Sequence, residues 1–374
     1  MRTEALTGLG GQVREALGRL AVQPRVAAAW ERVPRPVRRS VVALAVLAVL
    51  AVPPFLHPYI QSILFFPVGI YVLLALGLNV VVGLAGLLDL GYVAFYATGA
   101  YTTALLTTRT GWNTWETVPV AILVAMLAGV LLGAPTLRLR GDYLAIVTLG
   151  FGEIVRIVAT NADSVTNGPR GINAIPHPPP GPPGMRLGPL HIEFLLNPLP
   201  YYYLVLAACL LAVLLVRRLS DSRVGRAWIA IREDEDAAEA MGVPTFTMKL
   251  WAFAIGASTG GLAGALYASK VGFINPGGFP FLVSVLVLSS VVLGGMGSTA
   301  GVVLGAFVVA FLPEYFRELE RYRVLGFGAA LVILMVVRPQ GLIPSRRRAA
   351  ELQHAQAEEA MGTGAVSEAE VAAR

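Results

Sequence analysis

The sequence offers one match to the nucleophile elbow of hydrolases, the pattern Gly-x-Ser-x-Gly at residues 256–260, in which Ser258 would be the nucleophile. A serine of this kind needs a base within hydrogen-bond reach. None of the four histidines lies in the middle of an apolar segment, where it could activate Ser258. They are His57, His177, His191 and His354. We therefore expect no catalysis, and a Ser258→Ala variant should keep its activity.

Other signatures of enzymes are also incomplete. Residues 295–300 match the loose glycine pattern of dinucleotide-binding loops, but apolar segments flank them, which indicates a turn between helices. The only lysines are Lys249 and Lys270, and neither follows a glycine as a phosphate-binding loop requires, so this chain is not an ATPase. The single cysteine, Cys209, excludes an internal disulfide and a cysteine metal cluster. We expect no cofactor and no metal.

Ionisable side chains within apolar stretches are the more informative candidates. Glu153 and Arg156 lie three residues apart, on one face of a predicted helix. A charged pair at membrane depth is costly and usually marks a solute or ion path. The alternative is that both residues lie near the outer membrane surface and pair with water or with each other.

A second polar group interrupts the apolar stretch 77–101. It consists of Asn79, Gly83, Gly86 and Asp89. An unwound segment there would offer backbone amides and carbonyls to a zwitterionic solute, as broken helices do in transporters. These four residues and the charged pair are therefore the candidates for a solute path.

The composition indicates the elements that must position these residues. Of 374 residues, 56% are hydrophobic and 14% are charged, and the mean hydropathy is +0.67. Because the apolar residues form long uninterrupted blocks, we expect an all-α polytopic membrane protein with about ten transmembrane or partly re-entrant helices. The predicted segments are 41–56, 62–82, 91–107, 118–137, 143–159, 201–216, 247–268, 281–293, 301–316 and 324–337.

The formal charge of +6 does not indicate nucleic acid as a partner, because the arginines stand at the ends of apolar runs and no basic stripe with interleaved aromatic residues occurs. If all ten segments cross the lipid bilayer, most lysines and arginines lie inside when both termini are cytoplasmic. This predicts a cytoplasmic arm (1–40), a membrane domain (41–344) and a cytoplasmic tail (345–374). The two large loops would be 217–249 inside and the proline-rich 161–200 outside.

The cytoplasmic loop 217–249 is polar, and its balanced charges favour a protein partner over lipid headgroups. Acidic residues at 234–236 begin a short predicted helix, and Gly242 ends it. Part of this helix resembles the Glu-Ala-Ala loop of ABC importer permeases, with Asp in place of Glu. The matching residues are Asp236, Ala237, Ala238 and, after three further residues, Gly242. The alternative is an ordinary solvated loop helix.

Longer stretches carry a closer resemblance. In chain order they are GLNVVVGLAGLLDLGYVAFYATGAY from Gly77, LRLRGDYLAIVTLGFGEIVRI from Leu137, RVGRAWIAIREDEDAAEAMG from Arg223, and the block with GGLAGALYASKVGFINP and SVLVLSSVVLGGMGSTAGVVLGA. Over residues 62–344 the chain closely resembles the branched-chain amino acid ABC transporter permeases of the LivM type.

The resemblance implies an ABC importer permease fold in the bacterial plasma (inner) membrane. It implies a second homologous permease subunit, two ABC ATPase subunits, and an extracytoplasmic amino-acid-binding protein that delivers leucine, isoleucine or valine. The ATPase-coupling residues would be Arg226, Asp236, Ala237, Ala238 and Gly242. The alternatives are a related importer for urea or another small solute, and an ion-coupled secondary carrier in which Glu153 or Asp89 binds the coupling proton.

Overall fold

The computed structural model describes residues 55–137, 139, 141–179 and 198–315, together with 328, 329, 332 and 341–343. Within these residues the chain is built from helices. They are α1 (Pro58–Leu84), α2 (Val93–Thr110), α3 (Thr114–Thr136), α4 (Asp142–Asn161), α5 (Pro198–Ser220), α6 (Arg223–Glu233), α7 (Glu235–Ala240), α8 (Thr245–Val271), α9 (Phe281–Gly294) and α10 (Thr299–Tyr315). Shorter helical turns are Asp163–Thr166, Gly168–Arg170 and Pro276–Gly278.

Six of the described helical stretches are long and apolar enough to cross a membrane, namely α1, α3, α4, α5, α8 and the stretch Pro276–Gly294, which joins the short turn Pro276–Gly278 to α9. The expectation of an all-α polytopic membrane protein is therefore confirmed. The described helices do not establish a count of ten. The predicted segments 41–56 and 324–337 lie almost entirely outside the described residues, and the arm 1–40 and the tail 345–374 lie wholly outside them.

α1 is irregular at two places. The stretch Asn79–Leu84 is π-helical, whereas Leu64–Gly69 contains a kink at Phe66, which has extended backbone angles (φ −136°, ψ 124°) and precedes Pro67, a residue without a backbone N–H to donate. After Leu84 the chain leaves the helix, and residues 85–91 connect α1 to α2. The unwound segment predicted between residues 77 and 101 is therefore found at 85–91, and 79–84 is helical. Residues 79–84 are wholly buried.

α8 lies at the centre of the bundle, and its glycines set the spacing of its neighbours. A Cβ atom on Gly264 would strike the backbone carbonyl of Tyr96 in α2. A Cβ atom on Gly261 would lie 2.7 Å from the carbonyl oxygen of Ala121 in α3. The small residues at helical spacing therefore form the packing seams that hold α2 and α3 directly against α8.

The connections gather at two ends of the bundle. One end, called the hairpin end below, contains α6, α7, the break 85–91 and the turn 295–298 that the sequence predicts between helices. At the opposite end, the connection after α4 meets the connection after α8. Ile172 and Ile274 form an antiparallel bridge there, with N–H to O distances of 2.9 and 3.1 Å. The two ends therefore differ in which loops they present.

The large loop 161–200 is described only up to residue 179. The described part contains the short turns Asp163–Thr166 and Gly168–Arg170, and Arg109 at the end of α2 donates to the carbonyls of Ser164 and Val165 at 2.7 and 2.6 Å. Most of the proline-rich run lies outside the described residues. The start of this loop is thus tied to α2.

Candidate functional site

The α6–α7 hairpin is the first candidate site, and local capping defines it. Ser222 caps α6 by accepting from Gly225 N at 3.3 Å, and Asp234 caps α7 by accepting from Ala237 N at 2.9 Å. The acidic first turn suits the positive end of the helix dipole. Gly242 follows α7 with φ of 85°, a conformation that favours glycine. The predicted short helix, with its acidic start and glycine stop, is confirmed.

Two buried contacts anchor the hairpin to α8. Trp228 of α6 is 0% exposed, and its Nε1 donates to the carbonyl oxygen of Met248 at 2.6 Å. Lys249 is 3% exposed, and its Nζ lies 2.5 Å from a carboxylate oxygen of Glu235 in α7. The hairpin and the start of α8 are therefore fixed to each other.

The helices on either side extend into both ends of the predicted loop 217–249. α5 continues to Ser220, and α8 already begins at Thr245. Lys249 does not mark the edge of a loop, because its ammonium is buried against Glu235. The residues between these two helices form the α6–α7 hairpin.

The other side of the hairpin is exposed. Asp236, Ala237 and Gly242 are exposed beside Met241, which is 85% exposed, whereas Ala238 faces inward. The guanidinium of Arg226, on α6, donates to the carbonyl oxygen of Asp221 at 2.9 Å and is also exposed. Four of the five predicted coupling residues thus lie on an accessible surface, and their role stays a prediction.

Arg232, at the end of α6, reaches the break that follows α1. Its Nη1 donates to the carbonyl oxygen of Gly83. Its Cβ and Cγ lie 3.1 and 2.7 Å from the place where a Cβ on Gly86 would stand, and Gly86 has a φ of 73°. A Cβ on Gly297 would lie 3.4 Å from the same guanidinium. Arg232 therefore connects α6 to the end of α1 and to the turn 295–298.

Asn79 and Asp89 are fully buried on either side of this contact. The Oδ1 atom of Asn79 accepts from Gly297 N at 2.9 Å, which joins α1 to the turn between α9 and α10. The Oδ1 atom of Asp89 accepts from Gly91 N at 2.8 Å and shapes the end of the break. The structure thus brings Asn79, Gly83 and Gly86 together around one turn, and it places Asp89 further along the chain.

The charged pair lies in the middle of α4. Arg156 Nε donates to both carboxylate oxygens of Glu153 at 3.0 Å, and Arg156 Nη2 makes a further ion pair with one of them. The side chains of Arg156 and Glu153 are 38% and 40% exposed. The pair is therefore satisfied internally but remains accessible on one face of a membrane-length helix.

A cavity of about 170 Å³ lies beside this pair. Residues of the break, α2, α4 and the start of α9 line it: Leu90, Val93, Leu149, Gly152, Glu153, Phe279 and Phe281. An adjoining space of about 10 Å³, enough for one water-sized group, is lined by Tyr101 and Arg156 among others. The Leu90 wall is attached to α4, because Leu90 N donates to Thr148 Oγ1 at 3.0 Å. The break after α1 is thus one wall of the cavity.

Ser258 shows no arrangement for nucleophilic chemistry. Its Oγ donates to the carbonyl oxygen of Ile255 in its own helix at 2.6 Å. Among the described histidines, His57 is exposed at the start of α1, and His177 lies 2.8 Å from the carbonyl oxygen of Ser269, eleven residues further along α8. By the rise of an α-helix this is about 16 Å away from Ser258.

Three residues in these sites were not singled out from the sequence. In the sequence, Arg232 and Lys249 contribute only to the distribution of charge that orients the chain, and no pattern marks Trp228. Lys249 did carry a usable signal, because it stands five residues after Pro244 in an otherwise helical, apolar stretch. The contacts of Arg232 and Trp228 depend on how distant helices pack, which periodicity does not reveal.

These features define the class: a multi-pass helical membrane protein with an anchored hairpin at one end and an accessible charged pair within a spanning helix. The family model described as "Branched-chain amino acid transport system / permease component" matches residues 60–337. The chain belongs to this family of transport permease components.

Individual relatives agree with that assignment. The chain is 44% identical over 306 residues to the high-affinity branched-chain amino acid transport system permease protein LivM of Salmonella typhimurium, covering 77% of this chain and 71% of the relative. It is 47% identical over 300 residues to LivM of Escherichia coli, covering 76% and 70%. It is 26% identical over 284 residues to LivH of Escherichia coli, covering 73% and 91%. No solved structure matches the chain.

Proposed function

We propose that this chain is the transmembrane subunit of an ATP-driven importer of leucine, isoleucine and valine, and that it forms half of the translocation pore. Membership of the permease family and the names of its LivM relatives support the cargo class. The observation that carries the proposal is the α6–α7 hairpin, which is fixed to α8 on one side and exposed on the other. An element of this kind can receive force from a soluble motor.

The hairpin end faces the cytoplasm in this proposal. Arginines 217, 218, 223 and 226 stand at that end, as the bias of positive charge towards the cytoplasm requires. With the ten predicted crossings, both termini are cytoplasmic and the chain lies in the bacterial plasma (inner) membrane. The opposite end, with the bridge between Ile172 and Ile274, then faces the extracytoplasmic binding protein.

Two ABC ATPase subunits drive the transport, and one of them grips this chain at the exposed side of α7, where Asp236, Ala237 and Gly242 lie. Closure of the ATPases displaces the hairpin. Trp228 and the ion pair of Lys249 pass the displacement to α8, while Arg232 passes it to the break after α1. The bundle thereby changes between outward-open and inward-open packings.

A second, homologous permease subunit completes the pore against α4. Glu153 and Arg156 are accessible in the middle of a membrane-length helix, and charged groups there are costly against lipid. A partner subunit and a solute path on this face remove that cost. The solute passes along the pair, and the buried residues Asn79, Gly83 and Asp89, with the exposed Gly86, shape the path from behind.

The proposal is tested with the complete importer, isolated through a tag on this chain and reconstituted in proteoliposomes with its binding protein. Uptake of radiolabelled leucine should require ATP, and it should persist when ionophores collapse the ion gradients. Unlabelled isoleucine and valine should compete with leucine, and urea should not. Uptake that proceeds without ATP and stops with the ionophores would instead identify a secondary carrier.

A further inference from the structure

We propose that the 170 Å³ cavity between the break, α2, α4 and α9 holds the aliphatic side chain of the amino acid during translocation, with Glu153, Arg156 and Tyr101 binding its charged groups. The inference rests on the proposed function. It adds the place where the solute pauses, the residues that hold it and the size of side chain that fits.

The cavity has a suitable size and wall for a branched aliphatic group. An apolar protein cavity of about 150 Å³ holds a molecule of the size of benzene, so about 170 Å³ holds a four-carbon side chain. Leu90, Val93, Leu149 and the rings of Phe279 and Phe281 supply apolar wall. An aliphatic side chain in this cavity contacts these apolar groups and leaves water, which is favourable.

The charged groups at the edge match those of a free amino acid. Glu153 lines the larger cavity, and Arg156 lines the adjoining smaller one. In the structure they neutralise each other, with Arg156 Nε 3.0 Å from both carboxylate oxygens. A solute ammonium on Glu153 and a solute carboxylate on Arg156 exchange one ion pair for two and add no net charge.

Tyr101 adds an observation that is independent of the charged pair. Its side chain is 7% exposed, and its hydroxyl has no hydrogen-bond partner among the described residues. Tyr101 lines the same small space as Arg156. A buried hydroxyl without a partner is unfavourable, and a carboxylate oxygen arriving in that space would accept its hydrogen bond. The phenol and the guanidinium would then bind one carboxylate together.

The cavity also lies where the transport cycle can act on it. Gly152, in its wall, faces Gly91 so closely that a Cβ on Gly152 would lie 3.2 Å from the Gly91 Cα. Leu90, the residue before Gly91, belongs to the break that Arg232 contacts at its other end. A displacement of the break therefore changes the volume in which the side chain rests.

The first experiment fills the cavity. Leu149→Phe adds volume at its wall, so leucine should lose more than valine, which is smaller by one methylene group. In proteoliposomes with each amino acid supplied on saturating binding protein, the leucine-to-valine uptake ratio should fall by about threefold, within the range that one methylene provides. Ile154→Phe is the control, because Ile154 lies on the same helix and is exposed away from the cavity. An unchanged ratio in Leu149→Phe, or an equal change in the control, overturns the proposal.

The second experiment removes only the phenol hydroxyl. Tyr101→Phe should lower leucine uptake about tenfold or more at subsaturating supply, corresponding to the loss of one hydrogen bond to a carboxylate, with unchanged thermal stability. Tyr96→Phe is the matched control, since the Tyr96 hydroxyl is also buried without a partner among the described residues but lines neither cavity. Wild-type uptake by Tyr101→Phe contradicts the proposal, because it would show that the hydroxyl makes no hydrogen bond to the solute.

Failure of the proposed function and failure of the cavity assignment give different results. If the wild-type importer does not take up leucine, isoleucine or valine, the proposed function is wrong. If it does, and both Leu149→Phe and Tyr101→Phe behave like their controls, only the assignment of the cavity is wrong.

Discussion

The α6–α7 hairpin and the middle of α4 both carry charged side chains, but they hold them in opposite ways. In the hairpin, the Lys249 ammonium is 3% exposed against Glu235, and the Arg232 guanidinium is bound to a backbone carbonyl of α1. On α4, Glu153 and Arg156 are bound to each other, are more than a third exposed and border a cavity. Contacts of the first kind resist separation and can transmit a displacement. Contacts of the second kind can be exchanged for a ligand.

The comparison predicts two separable classes of defect. Variants of the hairpin should alter stability or the uptake obtained per ATP hydrolysed, and they should leave the leucine-to-valine ratio unchanged. Variants of the cavity should change that ratio and leave the coupling to ATP hydrolysis intact. A hairpin variant that changed the leucine-to-valine uptake ratio would contradict this separation between the two regions.

The largest effect is expected at the buried ion pair, and it should be asymmetric. Glu235→Gln leaves the buried Lys249 ammonium without its carboxylate, which should lower the free energy of unfolding by about 3 kcal/mol. Lys249→Met removes the buried charge and leaves Glu235, which is 24% exposed, so the loss should stay below about 1 kcal/mol. Denaturant titration of the purified protein in nanodiscs measures both values. Equal losses would show that burial of the ammonium is not what makes the pair important.

The next effect is expected from Arg232→Ala. The guanidinium bond to Gly83 is the direct link from the hairpin to the break, and a hydrogen bond to a charged group is worth about 1.5–3 kcal/mol. Uptake per ATP should fall by about tenfold or more, since 1.4 kcal/mol corresponds to a factor of ten.

Arg223→Ala is the control for this substitution. Arg223 is an exposed arginine at the start of the same helix. Its replacement by alanine removes the same charge from the hairpin as Arg232→Ala does. It should stay within about twofold of the wild type, as is usual for exposed surface charges. If both variants lose coupling equally, the positive charge of the hairpin matters and the contact with Gly83 does not.

The sequence predicted the helical class and the short helix α7 with its acidic start and glycine stop, because these depend on local periodicity and on capping residues. It also predicted that Glu153 and Arg156 share one helix face. It placed an unwound segment between residues 77 and 101 but did not predict its bounds at 85–91. The contacts of Arg232 and the open hydroxyl of Tyr101 arise from packing between segments far apart in the chain, on which periodicity carries no information.

A smaller effect is expected from Gly242→Asp. Gly242 has φ of 85° and open space around its Cα, so the substitution strains the backbone by about 1 kcal/mol and adds a carboxylate to the proposed docking surface. Uptake per ATP should fall about fivefold, equivalent to about 1 kcal/mol of lost docking.

Gly111→Asp separates strain from docking. Gly111 has φ of 71° and equally open surroundings, but it lies at the opposite end of the bundle after α2. This variant should be strained to a similar degree and retain its coupling. A similar loss in both variants would attribute the defect of Gly242→Asp to instability and would weaken the assignment of α7 as the docking element.

The smallest effect is expected from Trp228→Phe, which keeps an aromatic ring in the buried site and removes the 2.6 Å hydrogen bond to Met248. The free energy of unfolding should fall by about 1 kcal/mol, the usual contribution of one such bond. Trp251→Phe in α8 is the control, because Trp251 is 51% exposed, and it should change stability by less than about 0.5 kcal/mol. Because Lys249 and Glu235 still hold the hairpin in Trp228→Phe, uptake per ATP should be unchanged. A coupling defect in this variant would mean that the hairpin needs both anchors to transmit force.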